Sequence, residues 1–306
     1  MQDLRALPKL RDSLTYLYVE KATVKRTKFG VEYFDKDGRV QIPAANLSVL
    51  ILGPGTTITH GAVRILAESG CTILWTGTEL TRFYAQGMGE TRKAYHLLRQ
   101  AELASDPEKR TQVVLRMYRM RFEDQLDPSL TLPQIRGHEG VRMRKAYAQA
   151  SRTWGVPWKG RRYERGNWNQ TDSVNRALSA ANALLNALCH AAIVSGGYSP
   201  ALGFIHTGKQ LSFVYDIADL YKTEITIPTA FEMTAKYPGK PEPYVRQACR
   251  ERFREAKLLQ RILPDIDNLL QVDPDPQGAD YLDSDPALPT DLWNALLETE
   301  EAEVPQ

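Results

Sequence analysis

The sequence predicts an α+β protein, in which a mainly β domain at the N-terminus is followed by a larger all-α domain. Short segments rich in aromatic and β-branched residues, separated by Gly- and Pro-containing turns, fill the first part of the chain. Longer helical repeats with start and stop residues follow. We therefore assign residues 1–87 to a β-rich domain, 88–268 to a helical domain and 269–306 to an acidic flexible tail.

The β-rich domain is predicted to contain five strands and one helix. The dipeptide Asp37-Gly38 favours a hairpin between two of the strands. Thr59 is a typical helix N-cap, and Gly70 is a typical helix stop. The predicted strands cover residues 14–19, 31–34, 39–42, 47–52 and 71–75, and the helix covers residues 59–68.

The helical domain is predicted to contain five helices. Thr131 and Gln134 form a capping box at the start of one of them. A basic, aromatic loop over residues 154–168 separates this helix from a long apolar one. The predicted helices cover about residues 105–124, 131–152, 171–196, 211–222 and 242–263.

The net charge of +2 conceals an uneven distribution of charge. Residues 265–306 contain 12 acidic residues and neither Lys nor Arg. The other 264 residues contain 39 basic and 25 acidic residues, which is a net charge of +14. A basic body favours a polyphosphate partner such as nucleic acid, although solvated surface Lys and Arg are the ordinary alternative.

The sequence also indicates a compartment. The start of the chain lacks the apolar run of a secretory signal, and we expect no membrane-spanning segment. Cys71, Cys189 and Cys249 are odd in number and far apart, which suggests reduced thiols and a cytoplasmic location. They form no CxxC pair, so we exclude a structural zinc site.

The most informative segment for chemistry is 211–222. On a helix, Ser212, Asp216, Asp219 and Thr223 fall on one narrow polar stripe beside a broad apolar face. Two carboxylates on a largely buried helix need compensation, which a divalent cation would supply. The alternative is an exposed acidic stripe paired with Lys222.

Two further residues complete a candidate metal site. His206 lies in a Gly-flanked loop just before this helix, where a structural hydrogen bond is the alternative role. Glu139 lies on a helix whose other charges are nearly all positive, and a salt bridge to Arg136 or Arg142 is its alternative. Together, Glu139, His206 and Asp216 could bind Mg²⁺ or Mn²⁺, with Asp219 beside them. Such a cation would polarise a phosphodiester.

Three blocks of the sequence resemble the integrase subunit of CRISPR adaptation, most closely that of type I-E systems. These blocks are 134–145, 203–222 and 53–70, and the resemblance extends over roughly residues 8–265. The resemblance implies a β domain, a helical catalytic domain and a homodimer. It implies Glu139, His206 and Asp216 as metal ligands and Asp219 as a further acidic position of the motif. The implied reaction joins the 3′-OH ends of a short DNA to the repeat of a CRISPR array.

The resemblance also implies double-stranded DNA, both prespacer and CRISPR repeat, as the partner of the protein. The residues that match DNA-contacting positions of the family are Arg64, Arg82, Tyr163, Trp168, Lys209 and Lys222. Packing under the loop is the alternative for Tyr163 and Trp168, and covering the helix surface is the alternative for Arg64. Two other functions stay open, namely a nuclease that only cleaves branched DNA and a non-catalytic DNA-binding scaffold.

The acidic tail contains one apolar segment. Leu292, Trp293, Leu296 and Leu297 would form one face of a short helix, which is too short to be stable alone. We therefore expect this face to dock a second protein. The resemblance implies the small second CRISPR adaptation protein as that partner. The alternative is a tail that folds back and shields the basic body.

Overall fold

A computed structural model describes residues 16–28, 30–36, 38–44, 47–78, 82–87, 94–121, 130–161 and 171–272. Its first part is rich in strands and its second part is helical, which confirms the predicted α+β class. The strands are β1 Tyr16–Val19, β2 Thr23–Arg26, β3 Gly30–Asp35, β4 Gly38–Pro43, β5 Val49–Leu52, β6 Thr57–Ile58, β7 Thr72–Thr76 and β8 Phe83–Gly87. The α-helices are α1 His60–Glu68, α2 Tyr95–Ser105, α3 Pro107–Arg121, α4 Leu132–Trp154, α5 Ser173–Ser195, α6 Ser212–Ala218, α7 Ile227–Lys236, α8 Glu242–Glu255 and α9 Leu258–Leu270.

The strands form two four-stranded sheets. One has the order β1-β5-β7-β8, with β8 antiparallel to β7 and the other pairs parallel. The other has the order β4-β3-β2-β6. The predicted hairpin is present, since β3 and β4 pair with Asp35 opposite Gly38. Helix α1 begins as predicted, because the Thr59 side chain accepts the N–H of Ala62.

Helix α5 is the centre of the helical part. It packs against α6, α7, α8 and α9, and its residue Ala191 also contacts the first sheet through Val49, Ile51 and Leu74. By length and composition alone α5 could cross a membrane, contrary to the expectation that no segment of the chain is long and apolar enough. Most of the helix is buried within the fold, as expected of a core helix.

Several predicted boundaries need correction. The segment predicted as one helix over 242–263 is two helices, because Lys257 adopts a left-handed conformation with φ of 49° between α8 and α9. The helix predicted over 211–222 ends at Ala218, and a π-helical turn follows over Lys222–Thr226. Strands β2, β6 and β8 and helices α2 and α7 were not predicted.

The limits of the predicted domains stay predictions. The boundary between residues 87 and 88 borders a stretch outside the described residues. At the other end, helix α9 continues to Leu270, two residues past the expected end of the helical domain at residue 268. The strand-rich and helical parts each have a hydrophobic cluster of their own.

Candidate active site

The loop that precedes helix α6 is folded around the carboxylate of Asp216. The Oδ2 atom of Asp216 accepts hydrogen bonds from the backbone N–H groups of Phe204 (2.6 Å) and Ile205 (3.1 Å). Its Oδ1 atom accepts the backbone N–H of His206 (2.9 Å). Asp216 is fully buried, and three amide donors stabilise its buried charge. The turn requires Gly203, since a Cβ there would lie 2.2 Å from the carbonyl oxygen of His206.

The same carboxylate orients the imidazole of His206. His206 Nδ1 lies 2.7 Å from Asp216 Oδ1, and because a carboxylate only accepts, Nδ1 carries the proton. The Nε2 atom therefore has a free lone pair when the ring is neutral, which suits it to bind a metal or a proton. The hydrogen bond to Asp216 raises the pKa of His206, and burial opposes this effect. The His206 side chain is 44% exposed, so it remains accessible to a ligand.

Arg121, the last residue of α3, joins the other two acidic residues. Its Nη1 atom is 3.6 Å from Glu139 Oε1, and its Nη2 atom is 3.8 Å from Asp219 Oδ2. Nη2 also donates to the backbone oxygen of Asp216 at 3.2 Å. The Arg121 side chain is only 4% exposed. A buried guanidinium thus compensates two carboxylates that would otherwise repel each other.

Two more cations contact these carboxylates. The Nζ atom of Lys222 makes a direct ion pair with Asp219 Oδ1. Arg142 Nη1 is 3.6 Å from Glu139 Oε1, and Arg142 Nη2 donates to Thr223 Oγ1 at 2.8 Å. The salt bridge between Glu139 and Arg142 is thus one of the alternatives that the sequence left open.

We call the set of Glu139, His206, Asp216 and Asp219 the acidic site. Its side chains are of the kinds that bind divalent cations, but they are not arranged around a common point. Within the described ranges, no three His, Cys, Asp or Glu side chains already surround one point closely enough to hold a metal ion. However, Glu139 Oε2 is buried and has no hydrogen-bond partner among the described residues. A buried carboxylate oxygen without a hydrogen-bond partner and an oriented imidazole are both donors that Mg²⁺ or Mn²⁺ accepts.

The remaining predicted residues lie in several places. Arg64 is exposed on α1 and pairs with Glu68 at 3.5 Å, and Arg82 is exposed just before β8. Lys209 is exposed in the loop that carries His206, and Lys222 contacts the acidic site. The predicted residues outside the described ones are Tyr163, Trp168, Leu292, Trp293, Leu296 and Leu297.

Sequence reasoning missed Arg121 and the role of the amides around Asp216. Arg121 lies in the last turn of a helix that contains other basic residues, such as Arg119, and nothing in the local pattern distinguishes it. Gly203 was the available signal for the tight loop, because glycine is favoured where two backbone segments approach closely.

Comparisons with known proteins agree with the resemblance seen in the sequence. The family model described as "CRISPR associated protein Cas1" matches residues 15–128 and 120–256. A CRISPR-associated endonuclease Cas1 of Thermus thermophilus is 53% identical over 299 residues, which cover 98% of this chain and 92% of the relative. The CRISPR-associated endonuclease Cas1 of Escherichia coli K12 is 39% identical, with 85% of this chain and 86% of the relative covered.

Solved structures give the same result. A crystal structure of a TtCas1–DNA complex matches with a TM-score of 0.79 and 55% identity, covering 87% of this chain and 100% of that chain. The structure of a CAS1 protein from Thermotoga maritima matches with a TM-score of 0.57 and 15% identity, covering 86% of this chain and 99% of that one. The second likeness concerns the fold alone.

Proposed function

Because the chain belongs to the Cas1 family of CRISPR-associated proteins, we propose that it is a metal-dependent DNA endonuclease and integrase that inserts short DNA fragments into a CRISPR array. The names of its relatives support an endonuclease, and the solved complex of a relative supports DNA as the substrate. The observation that carries the proposal is the His206 imidazole, oriented by a buried carboxylate and exposed to solvent.

We propose His206, through Nε2, together with Asp219 and Glu139 as the ligands of Mg²⁺ or Mn²⁺. Asp216 was predicted as a ligand, but its two oxygens already accept four hydrogen bonds and it has no exposed surface. These contacts favour Asp216 as the residue that orients the imidazole and shapes the loop. When bound, the cation would stabilise negative charge on the phosphodiester and on the attacking or leaving oxygen.

The other residues of the chain would bind and position DNA. Lys222 and Arg142 lie at the carboxylates, where their charges would contact the phosphates that flank the reacting one. Lys209 on the loop of His206, together with Arg64 and Arg82, would extend the contact to the DNA backbone. In the joining reaction a 3′-OH attacks phosphorus, one P–O bond forms and another breaks. The leaving oxygen takes up a proton, while the number of phosphodiester bonds stays constant.

The proposed assembly is a homodimer that acts with the small second CRISPR adaptation protein. The apolar face of Leu292, Trp293, Leu296 and Leu297 is the proposed docking surface for that protein.

A joining experiment tests the function against its two alternatives. The protein is incubated with a short duplex bearing 3′-OH ends, a supercoiled plasmid with a CRISPR repeat, the second adaptation protein and either Mn²⁺ or EDTA. We expect a joined product that requires the metal and the 3′-OH. Cleavage without joining would identify a nuclease. DNA binding without any strand breakage in either condition would identify a scaffold.

A further inference from the structure

Of the three cations at the carboxylates of the acidic site, Arg121 and Lys222 are held in different ways. We propose that Lys222 is an exchangeable counter-ion: it neutralises Asp219 in the DNA-free protein and moves to a phosphate when DNA binds. A divalent cation and DNA would then bind cooperatively, while Arg121 stays in place. This inference rests on the proposed metal site.

Arg121 has the properties of a fixed charge. Its side chain is 4% exposed, it donates to the backbone oxygen of Asp216, and its guanidinium carbon is 5.6 Å from the centre of the Tyr118 ring. Its distances to Glu139 and Asp219, 3.6 and 3.8 Å, exceed those of hydrogen bonds. Arg121 therefore lowers the repulsion between the carboxylates and leaves their oxygens able to bind a cation.

Lys222 has the opposite properties. Its ammonium group contacts Asp219 Oδ1 directly, so it occupies an oxygen that a metal ion would need. The Lys222 side chain is 23% exposed, and a lysine stem has four flexible carbons. Lys222 also begins the π-helical turn over Lys222–Thr226, a kind of irregularity that is frequent at functional sites. An ammonium ion can leave a carboxylate for a phosphate without any change in the backbone.

This exchange links the two ligands. A metal ion that binds the DNA-free protein must displace Lys222 from Asp219, which weakens its affinity. A phosphate that accepts Lys222 removes that competition, and the metal must strengthen DNA binding by the same factor. A partly exposed ion pair contributes up to about 1 kcal/mol, so the factor due to Lys222 is about fivefold.

Direct contact between a bound metal and DNA would also produce cooperativity, so the test must separate the two causes. Mn²⁺ binding is measured by electron paramagnetic resonance of the unbound ion, with and without a short duplex that lacks 3′-OH groups. The duplex alone gives the background. The wild-type protein is compared with Lys222→Met, and Lys209→Met serves as the control. Lys209 lies in the same region but forms no ion pair with Glu139 or Asp219, all three being described residues.

We expect Lys222→Met to bind Mn²⁺ about fivefold more tightly than wild type without DNA, and to lose about the same factor of cooperativity with DNA. Lys209→Met should leave Mn²⁺ affinity without DNA unchanged. Unchanged affinity in Lys222→Met, with cooperativity intact, would overturn the exchange and leave the proposed metal site standing. No Mn²⁺ binding in any sample would overturn the metal site and this inference together. Circular dichroism of each variant verifies folding.

Discussion

Asp216 and Asp219 are three positions apart in the sequence, yet their surroundings differ. Asp216 has no exposed surface and accepts four hydrogen bonds from the loop before it. Asp219 keeps a side-chain exposure of 23% and contacts two cations. At the scale of single residues, two identical side chains are therefore placed differently. Asp216 shapes the loop, and Asp219 is the one left partly exposed, as its proposed role as a metal ligand requires.

Substituting the two aspartates separately tests these roles. Asp216→Asn should lower the free energy of unfolding by roughly 2–3 kcal/mol, because an amide cannot accept all of the N–H donors that now face the carboxylate. Asp219→Asn should cost under about 1 kcal/mol, since its pair with Lys222 is partly exposed and its distance of 3.8 Å from Arg121 is too long for a hydrogen bond. Both should abolish DNA joining. Urea denaturation measures the stabilities, and a similar loss of stability in the two variants would contradict the division of roles.

The tight turn at Gly203 can also be tested at the scale of single residues. Gly203→Ala should be strongly destabilising, by about 3 kcal/mol or more, because its Cβ would lie 2.2 Å from a backbone oxygen and the loop would have to shift. Gly137 on α4 is the matched control, since nothing lies within 4 Å of a Cβ there. Gly137→Ala should stabilise the helix by about 0.5–1 kcal/mol. Equal thermal midpoints for the two variants would argue against the tight turn.

At the scale of elements, His190 connects helix α5 to strand β8. Its ring is 3.8 Å from that of Phe83 between centroids, and the residue is 5% exposed. Burial lowers the pKa of His190 from 6.5 to about 4. The unfolded chain therefore binds a proton at pH values where the native protein does not.

This lowered pKa predicts how stability depends on pH. His190 has no effect well above pH 6.5, and stability should fall as the pH decreases from about 6.5 towards 4. At pH 5 the loss due to His190 should be roughly 2 kcal/mol. His190→Gln does not titrate, so the difference in unfolding free energy between wild type and variant should change by that amount from pH 7 to pH 5. A constant difference would show that His190 titrates normally.

Some secondary-structure elements could be predicted from the sequence and others could not. Strong local signals gave correct elements, such as the Asp-Gly hairpin and the caps at Thr59 and Thr131. Elements without such signals were missed. Strand β8 is partly exposed and depends on its pairing with β7, and α7 continues directly from a π-helical turn. The break between α8 and α9 depends on a left-handed conformation at Lys257. Since this residue is not a glycine, the sequence does not indicate the break.

The candidate site was predictable only in part, for a related reason. The stripe with Asp216 and Asp219 follows from helical spacing, and His206 from its nearby loop. The contacts of Arg121 with Glu139 and Asp219 join α3, α4 and the end of α6, and spacing within one element cannot reveal contacts between elements. The division of roles between the aspartates depends on which of them the backbone amides of the loop contact, and helical spacing does not reveal those contacts.

At the scale of the whole molecule, we expect the proposed DNA binding to depend mainly on charge. Reversing the charge of Arg64, Arg82 or Lys222 should weaken binding to many sequences alike, because phosphate contacts carry little base information. Each lost phosphate contact should also flatten the dependence of log K on log salt by about one unit. Fluorescence anisotropy over a salt series measures both. If a variant with all three charges reversed showed the same dependence of log K on log salt as wild type, these residues would not contact phosphates.

The proposed docking of the second adaptation protein on the acidic tail can be tested by changing the tail. The protein without residues 288–306, or with Trp293→Ala, is compared with wild type for affinity to the second adaptation protein and to DNA alone. If the four apolar residues dock that protein, both changes should weaken its binding by tenfold or more, about 1.4 kcal/mol, because a buried Trp is a frequent centre of binding energy. DNA affinity should stay unchanged in Trp293→Ala, since Trp293 carries no charge. Tighter DNA binding by the truncated protein, with partner affinity intact, would instead identify the tail as a shield of the basic body.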